Sequence, residues 1–196
     1  HTCANTEHIH STNPCGEYLF IDDTACNLAS LNLMKFVDEN GKFNVEEYRH
    51  AIRTFFTAQE ILVDFASYPT ESITQRSHEF RTIGLGHANL GTLLMTQGIP
   101  YDSEKGRAIA AAITAITTGH AYRTSTEIAS MKEPFERFEE NREPMLRVMN
   151  QHRDAAYKID VRYCPDYLLE AAREDWDRAV EEGEKVGYRN AQATVI

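Results

Sequence analysis

No apolar run in this chain approaches the roughly 18 to 20 residues that a membrane span needs. Nor is there the basic start, apolar middle and small-residue cleavage site that mark a secretory leader. Positive charge is also in short supply: 20 Lys and Arg stand against 30 Asp and Glu, for a net charge of −10. Phosphate-rich surfaces are gripped by clustered Lys and Arg, so nucleic acid and anionic membrane are not expected as partners; a small molecule or another protein is. Cysteine is scarce, with four in 196 residues, at positions 3, 15, 26 and 164. That is too sparse for a secreted disulfide framework, and the intervals do not match the pairs about two to four residues apart that zinc sites use. A reducing cytoplasm is the expected setting, where a cysteine that matters is reactive or redox-active rather than structural.

What is present reads as one continuous body without repeats or linkers. The chain opens on His1 with no initiator Met and stops at "ATVI", a β-branched run, so residues 1–196 are expected to be an internal fragment of a single domain. Its class is α/β, predominantly helical with short strands near both ends: a strand at about 26–36, a helical body at about 44–187 and a truncated strand at 192–196. "YLFID" at 18–22 offers a further short strand, and "DENGK" at 38–42 is turn chemistry. Asn44 with Glu47 forms a near capping box, and Phe43 is placed to staple against Tyr48. Val45, Tyr48, Ile52, Phe55, Phe56, Leu62, Val63 and Ala66 then recur at helical steps until Pro69 intervenes. A second helix is expected over 84–95. A third, after the Asp102-Ser103 cap, is apolar on most sides and so well buried. The charge-rich stretch 132–156 reads as a solvated lid or surface helix. A last helix follows Cys164-Pro165 and ends at Gly183 or Gly187.

Several candidate sites fail on their own terms. "GLGHANLG" at 84–91 has Asn89 where a dinucleotide fingerprint needs its third Gly, and no buried strand is expected before it, so its small residues are read as serving close helix packing. His8 and His10 lack a third ligand, so no metal site is expected. Cys164, between Tyr163 and Pro165, suits a small buried hydrophobe. Cys3 lies in the polar opening loop, a position compatible with exposure, and receives no role.

Asn13-Pro14-Cys15-Gly16-Glu17 is different. A residue before proline is pushed toward extended geometry, and alternate side chains of an extended chain share a face. Asn13, Cys15 and Glu17 then offer an amide, a thiol and a carboxylate to one small volume, with Gly16 leaving room for close approach. Those groups together make a reaction centre of a hydrogen-bonding amide, a sulfur that exchanges a hydrogen atom and a general base. On the pentapeptide alone, a turn with an incidental thiol stands beside this reading.

"NPCGEYLFIDDTACNLASLNLMKF" closely resembles the active-site region of adenosylcobalamin-dependent (class II) ribonucleotide reductases, whose usual form is Asn-Pro-Cys-Ser-Glu-Tyr followed by "DDTACNLASLNL". "HTC", "RTIGLGHANLGTLLMTQGIPYDSEKGRA", "TGHAYRTSTEIA" and "RNAQATVI" are similar to the same family in the same order. The resemblance implies an incomplete piece of a ten-stranded α/β barrel, with residues 8–20 as the finger loop that presents a cysteine to the ribose. It implies that Cys15 is the thiyl radical site, that Glu17 is the base on the 3′-OH and that Asn13 binds the sugar hydroxyls. Cys26 becomes one of two thiols that supply reducing equivalents, its partner lying upstream of His1. The implied cofactor is adenosylcobalamin, held mostly outside these residues; the implied partners are a ribonucleotide, a thioredoxin-like dithiol reductant and the rest of the same chain. Gly16 departs from the usual Ser. Two other readings stand beside this one: a class I large subunit served by a separate radical-generating subunit, and a non-catalytic acidic helical interaction module.

Overall fold

The computed structural model describes residues 1–194. Its frame is a three-stranded parallel sheet of β1 (Asn27–Asn32), β2 (Ile83–Ala88) and β3 (Ala193–Thr194), in that order. β1 and β2 run in register from Asn27 opposite Ile83 to Asn32 opposite Ala88, and β2 continues with Ile83 opposite Ala193. Parallel neighbours cannot be joined by a hairpin and need a crossover. α1 (Val45–Phe65) and α2 (Glu71–Phe80) make the first; α3 (Leu90–Thr96), α4 (Glu104–Lys132), α5 (Arg142–Tyr157) and α6 (Asp166–Val186) make the second. Of the expected terminal strand 192–196, Gln192 stays outside the strand, and residues 195–196 lie outside the described residues.

Local chemistry explains where the helices begin. Asn44 accepts the Glu47 amide at 3.2 Å, and the Phe43 and Tyr48 rings meet edge to face at 5.1 Å, so the cap and staple both form. α1 buries Tyr48, Ile52, Phe56, Gln59, Glu60 and Val63. Phe55 and Leu62, expected on that face, lie about half exposed on the other side of the helix at 46% and 50%. Ser103 accepts the Gly106 amide at 3.0 Å to start α4, which is buried on most sides as its composition implies. α6 runs through the buried Gly183 and stops at Gly187, whose φ of +77° favours glycine.

Four expectations are corrected. Residues 83–88 form the central strand rather than the start of a helix, and only Leu90–Thr96 is helical. Gly84 and Gly86 therefore serve sheet pairing, not helix packing; glycine is a poor helix former, and hydrogen bonds from both flanking strands outweigh the local preference. Asn89, left-handed at φ 69°, separates strand from helix. The first strand stops at Asn32, whose side chain accepts the Met34 amide and opens a 3-10 turn at Leu33–Phe36. "YLFID" forms no strand; Phe20 and Ile21, each 3% exposed, plug a loop into the core instead. The charge-rich 132–156 region is not wholly solvated, because Phe135, Phe138, Met145 and Met149 are buried beneath its charges.

Two neighbouring residues of α1 organise the entry side of the sheet. Gln59 donates from Nε2 to the carbonyls of Asn27 (2.9 Å) and Gly84 (2.7 Å), cross-linking the starts of β1 and β2. Glu60, 6% exposed, accepts from Arg81 Nε at 2.6 Å, Arg189 Nε at 2.8 Å and Asn190 Nδ2 at 2.6 Å. Asn190 also donates to the Arg81 carbonyl at 2.9 Å and accepts from Ser125 Oγ on α4 at 2.8 Å. The segments that enter β2 and β3 are thus fixed to α1 by one buried carboxylate and to α4 through Asn190.

Removing one member of a buried ion pair leaves the others uncompensated, at a cost of about 3–5 kcal/mol. Glu60→Ala should lower the opening free energy of β2 amides by that amount in native-state hydrogen exchange. Asp64→Ala should cost less than about 1 kcal/mol, since the Asp64 carboxylate that meets the same Arg81 is 51% exposed. Equal effects of the two substitutions would refute the assignment of Glu60 as the hub.

Candidate active site

The loop that carries the signature is built on a turn, not on the expected extended alternation. Gly16 N donates to the Asn13 carbonyl at 3.1 Å, and Asn13 N donates to the Tyr18 carbonyl at 3.2 Å, which folds residues 13–18 back on themselves. The Asn13 side chain explains the change: its Oδ1 accepts the amides of both Gly16 and Tyr18 at 3.0 Å, the self-capping that Asn performs readily in turns. Pro14, with its fixed φ, fits such a turn, and Gly16 takes a φ of +85° with no neighbour near enough to crowd a side chain. Asn13 Nδ2 then points to Glu17 and donates to its Oε1. Amide and carboxylate are brought together by hairpin closure, and Cys15 stands exposed at the tip.

Cys26 sits half-buried immediately before β1. Its position is held through the preceding peptide: Ala25 N donates to Ser77 Oγ at 3.0 Å, and Thr82 Oγ1 donates to the Ala25 carbonyl at 2.6 Å. Burial pushes the Cys26 thiol up to about 12, and the nearby Glu17 carboxylate pushes in the same direction. A thiol so placed stays protonated well above neutral pH. Tyr18 Oη shares a hydrogen bond with Thr24 Oγ1 at 2.7 Å, and Thr24 donates to the Ile21 carbonyl at 2.8 Å, stiffening the path from loop to strand.

The other cysteines lie apart from this chemistry. Cys164 is a buried small hydrophobe. Cys3 is fully buried rather than solvent-facing, because the opening turn packs into the core, and desolvation raises its thiol to about 12. His10 pairs with Asp22 at 2.8 Å, and its ring lies 6.5 Å from that of His8. Among the described residues no group of three or more His, Cys, Asp or Glu is placed to hold a metal, and no helix is long and apolar enough to cross a membrane. A cavity of about 820 Å³ lies between α4, α5 and the loop limbs, lined by Leu19, Phe20, Tyr122, His152 and Trp176 among others. Asn13, Cys15, Glu17 and Cys26 do not line it. The residues that the sequence did not single out are those of α2, Ser77 and Arg76, with Thr82 just beyond. Pro69-Thr70 was the available signal: Thr70 accepts the Ile73 amide at 3.2 Å and starts that helix.

The parallel α/β unit thus presents a thiol, an amide and a carboxylate on one loop, with a second thiol just before the adjoining strand. The family model described as "Ribonucleotide reductase, barrel domain" matches residues 1–196, and the chain belongs to that family. It is 57% identical over its whole length to a vitamin B12-dependent ribonucleotide reductase of Rhodopirellula baltica, covering 19% of that protein. A protein of the same name from Agrobacterium fabrum is 49% identical, again over the whole chain and 17% of the relative. A vitamin B12-dependent ribonucleoside-diphosphate reductase of Thermoplasma acidophilum is 29% identical over 67% of the chain. The chain thus spans about a fifth of the length of the first of these relatives. The acidic interaction module gives way to the family match, and the described strands form an open three-stranded sheet rather than a closed barrel.

Exposure and burial separate the four thiols in a measurable way. Iodoacetamide at pH 8 should label Cys15 first, with Cys3, Cys26 and Cys164 slow, because burial raises those three to about 12, 12 and 11. Alkylation needs the thiolate, so labelling of the three should quicken as pH rises toward those values. The same shifts have a stability consequence. Their contribution is fully present below the unfolded thiol value of roughly 8.5 and is lost as pH rises from there through the folded values. Peptide mapping that finds Cys26 labelled as fast as Cys15 would contradict the arrangement.

Proposed function

We propose that this chain supplies the thiol chemistry of a cobalamin-dependent ribonucleotide reductase, reducing the 2′ position of a ribonucleotide to give a deoxyribonucleotide. The observation that carries this reading is the closure of the 13–18 turn, which sets the Asn13 amide on the Glu17 carboxylate in the same turn that exposes Cys15.

In this reading Cys15, as a thiyl radical, takes the hydrogen atom from C3′ of the ribose and leaves a carbon radical there. Glu17 takes the proton of the 3′-OH, which raises electron density at C3′ and helps the 2′-OH depart as water. Asn13 hydrogen-bonds the sugar hydroxyls and, through its bond to Glu17, holds the base in line. Cys26 and a second thiol outside these residues together give two protons and two electrons and end as a disulfide. One proton leaves with the 2′-OH as water, and the other completes the new C2′–H bond. Glu17 finally returns its proton to the 3′-oxygen and Cys15 its hydrogen to C3′, so carboxylate and thiyl radical are both regenerated and the net change is replacement of 2′-OH by H with oxidation of the thiol pair.

The relatives are named for vitamin B12, and adenosylcobalamin, when bound, would supply the radical that activates Cys15. An exposed thiol at a loop tip fits the receiving end of that chemistry. The tip also leaves Gly16 without a side chain where a large group must come close. The corrin itself is assigned to chain outside these residues. The remaining partners follow from the reaction: a ribonucleotide, the rest of the same polypeptide, and a thioredoxin-like dithiol protein that reopens the disulfide, chemistry suited to the cytoplasm.

In the full-length protein, Cys15→Ser should abolish turnover. Cys26→Ser should stop net reduction while leaving exchange of the substrate C3′ hydrogen. Glu17→Gln should lower kcat by about 10²–10⁴-fold. The parent should reduce nucleotides with adenosylcobalamin and without a second radical-generating polypeptide, which separates it from the class I arrangement. Undiminished turnover by Cys15→Ser would sink the proposal.

A further inference from the structure

The loop that bears Cys15 is closed at its neck by one side chain from α2. Arg76 donates from Nη2 to Glu7 Oε2 at 2.5 Å on the incoming limb, and from Nε to the Asp22 carbonyl at 3.0 Å on the outgoing limb. Residues 8–21, including the reactive turn, lie between those two contacts. The guanidinium rests over the Phe80 ring at 5.6 Å, and Phe80 in turn meets Phe20 of the outgoing limb edge to face at 6.1 Å. Glu7 is tied back to the buried start of the chain, its amide donating to the Cys3 carbonyl at 3.0 Å. The other tie across the neck, His10 to Asp22, has side chains 68% and 60% exposed and so contributes little. The Arg76–Glu7 pair is far better shielded, at 27% and 16%, and is charge-assisted.

We infer that Arg76 is a positioning residue for the thiol loop: with Glu7 it fixes the neck, and through the neck the place to which the Cys15 tip is delivered. The inference rests on the reading of Cys15 as the reacting thiol. Its physical basis is loop entropy. A long loop whose ends are pinned samples far fewer tip positions than one joined at a single limb, and a displacement of about 1 Å at a reacting atom can cost on the order of 10²-fold in rate. The planar guanidinium is required because two acceptors on different limbs must be met at once from fixed directions. The same helix aligns Cys26, through Ser77 and the Ala25 amide. α2 therefore sets the relative placement of both thiols.

The test uses the full-length protein. Arg76→Ala should lower kcat about 10- to 100-fold and, with no cofactor present, speed exchange of the Asn13, Gly16 and Tyr18 amides while β1 and β2 amides keep their protection. Arg76→Lys, which keeps the charge near Glu7 but loses the fork, should recover part of the rate. Glu7→Gln leaves the Asp22 contact intact and should loosen the loop several-fold less; it also carries the test if Arg76→Ala does not fold. Combining Glu7→Gln with Arg76→Ala should cost no more than Arg76→Ala alone, since Arg76→Ala already removes the Glu7 contact together with that to Asp22. A kcat within about twofold of the parent for both single variants, unchanged exchange at the loop amides, or additive losses in the double variant would overturn the inference. The two failures are distinct: turnover by Cys15→Ser would remove the chemical reading, whereas an inactive Cys15→Ser alongside an unimpaired Arg76→Ala would remove the clamp alone.

Discussion

One buried carboxylate constrains this part of the molecule more than any other group. Glu60 receives two guanidinium groups and an amide in a site closed to water, and each donor comes from a segment leading into a strand. Such a group cannot be left half-satisfied, so Arg81, Arg189 and Asn190 have little freedom to shift independently. Beside it, Gln59 ties the starts of β1 and β2. The sheet is therefore positioned from its entry side, the side on which Cys26 lies.

The thiol loop depends on that frame without belonging to it. Its limbs are held by α2, its aromatic residues are sunk into the core at Phe20, and its tip is shaped by one asparagine side chain. Asn13 does two things at once. Its oxygen closes the turn by accepting two backbone amides, and its nitrogen holds the Glu17 carboxylate. One side chain thus both shapes the loop and orients the carboxylate beside it, and Gly16 keeps the tip unobstructed.

Where local signals were strong, the sequence was legible. The Asn44 cap with its Phe43–Tyr48 staple, the Ser103 cap of α4 and the Gly187 stop of α6 all depend on residues within one helical turn of each other. Where the deciding partner is distant, local reading failed. Residues 83–88 contain two glycines and no alternation, and become a strand only because β1 and β3 lie on either side of them. α2 has ten residues and buries only Ser77 and Phe80, too little for a periodic stripe to show. At the loop, the residues Asn13, Cys15 and Glu17 were legible, but their common placement comes from a turn and not from extended alternation.

The sequence by itself determined which groups are available: the amide, thiol and carboxylate of 13–17, the second cysteine before the first strand, and a signature dense enough to specify the family. It did so because those identities are covalent and close together in the chain. Tertiary structure alone decided how they meet. Glu17 is brought near Cys26, Cys3 is withdrawn from solvent, and Arg76 bridges limbs that start at residues 7 and 22, through contacts spanning many residues of chain. Such contacts exist only once the core has excluded water and fixed the helices that carry them, so no local pattern encodes them.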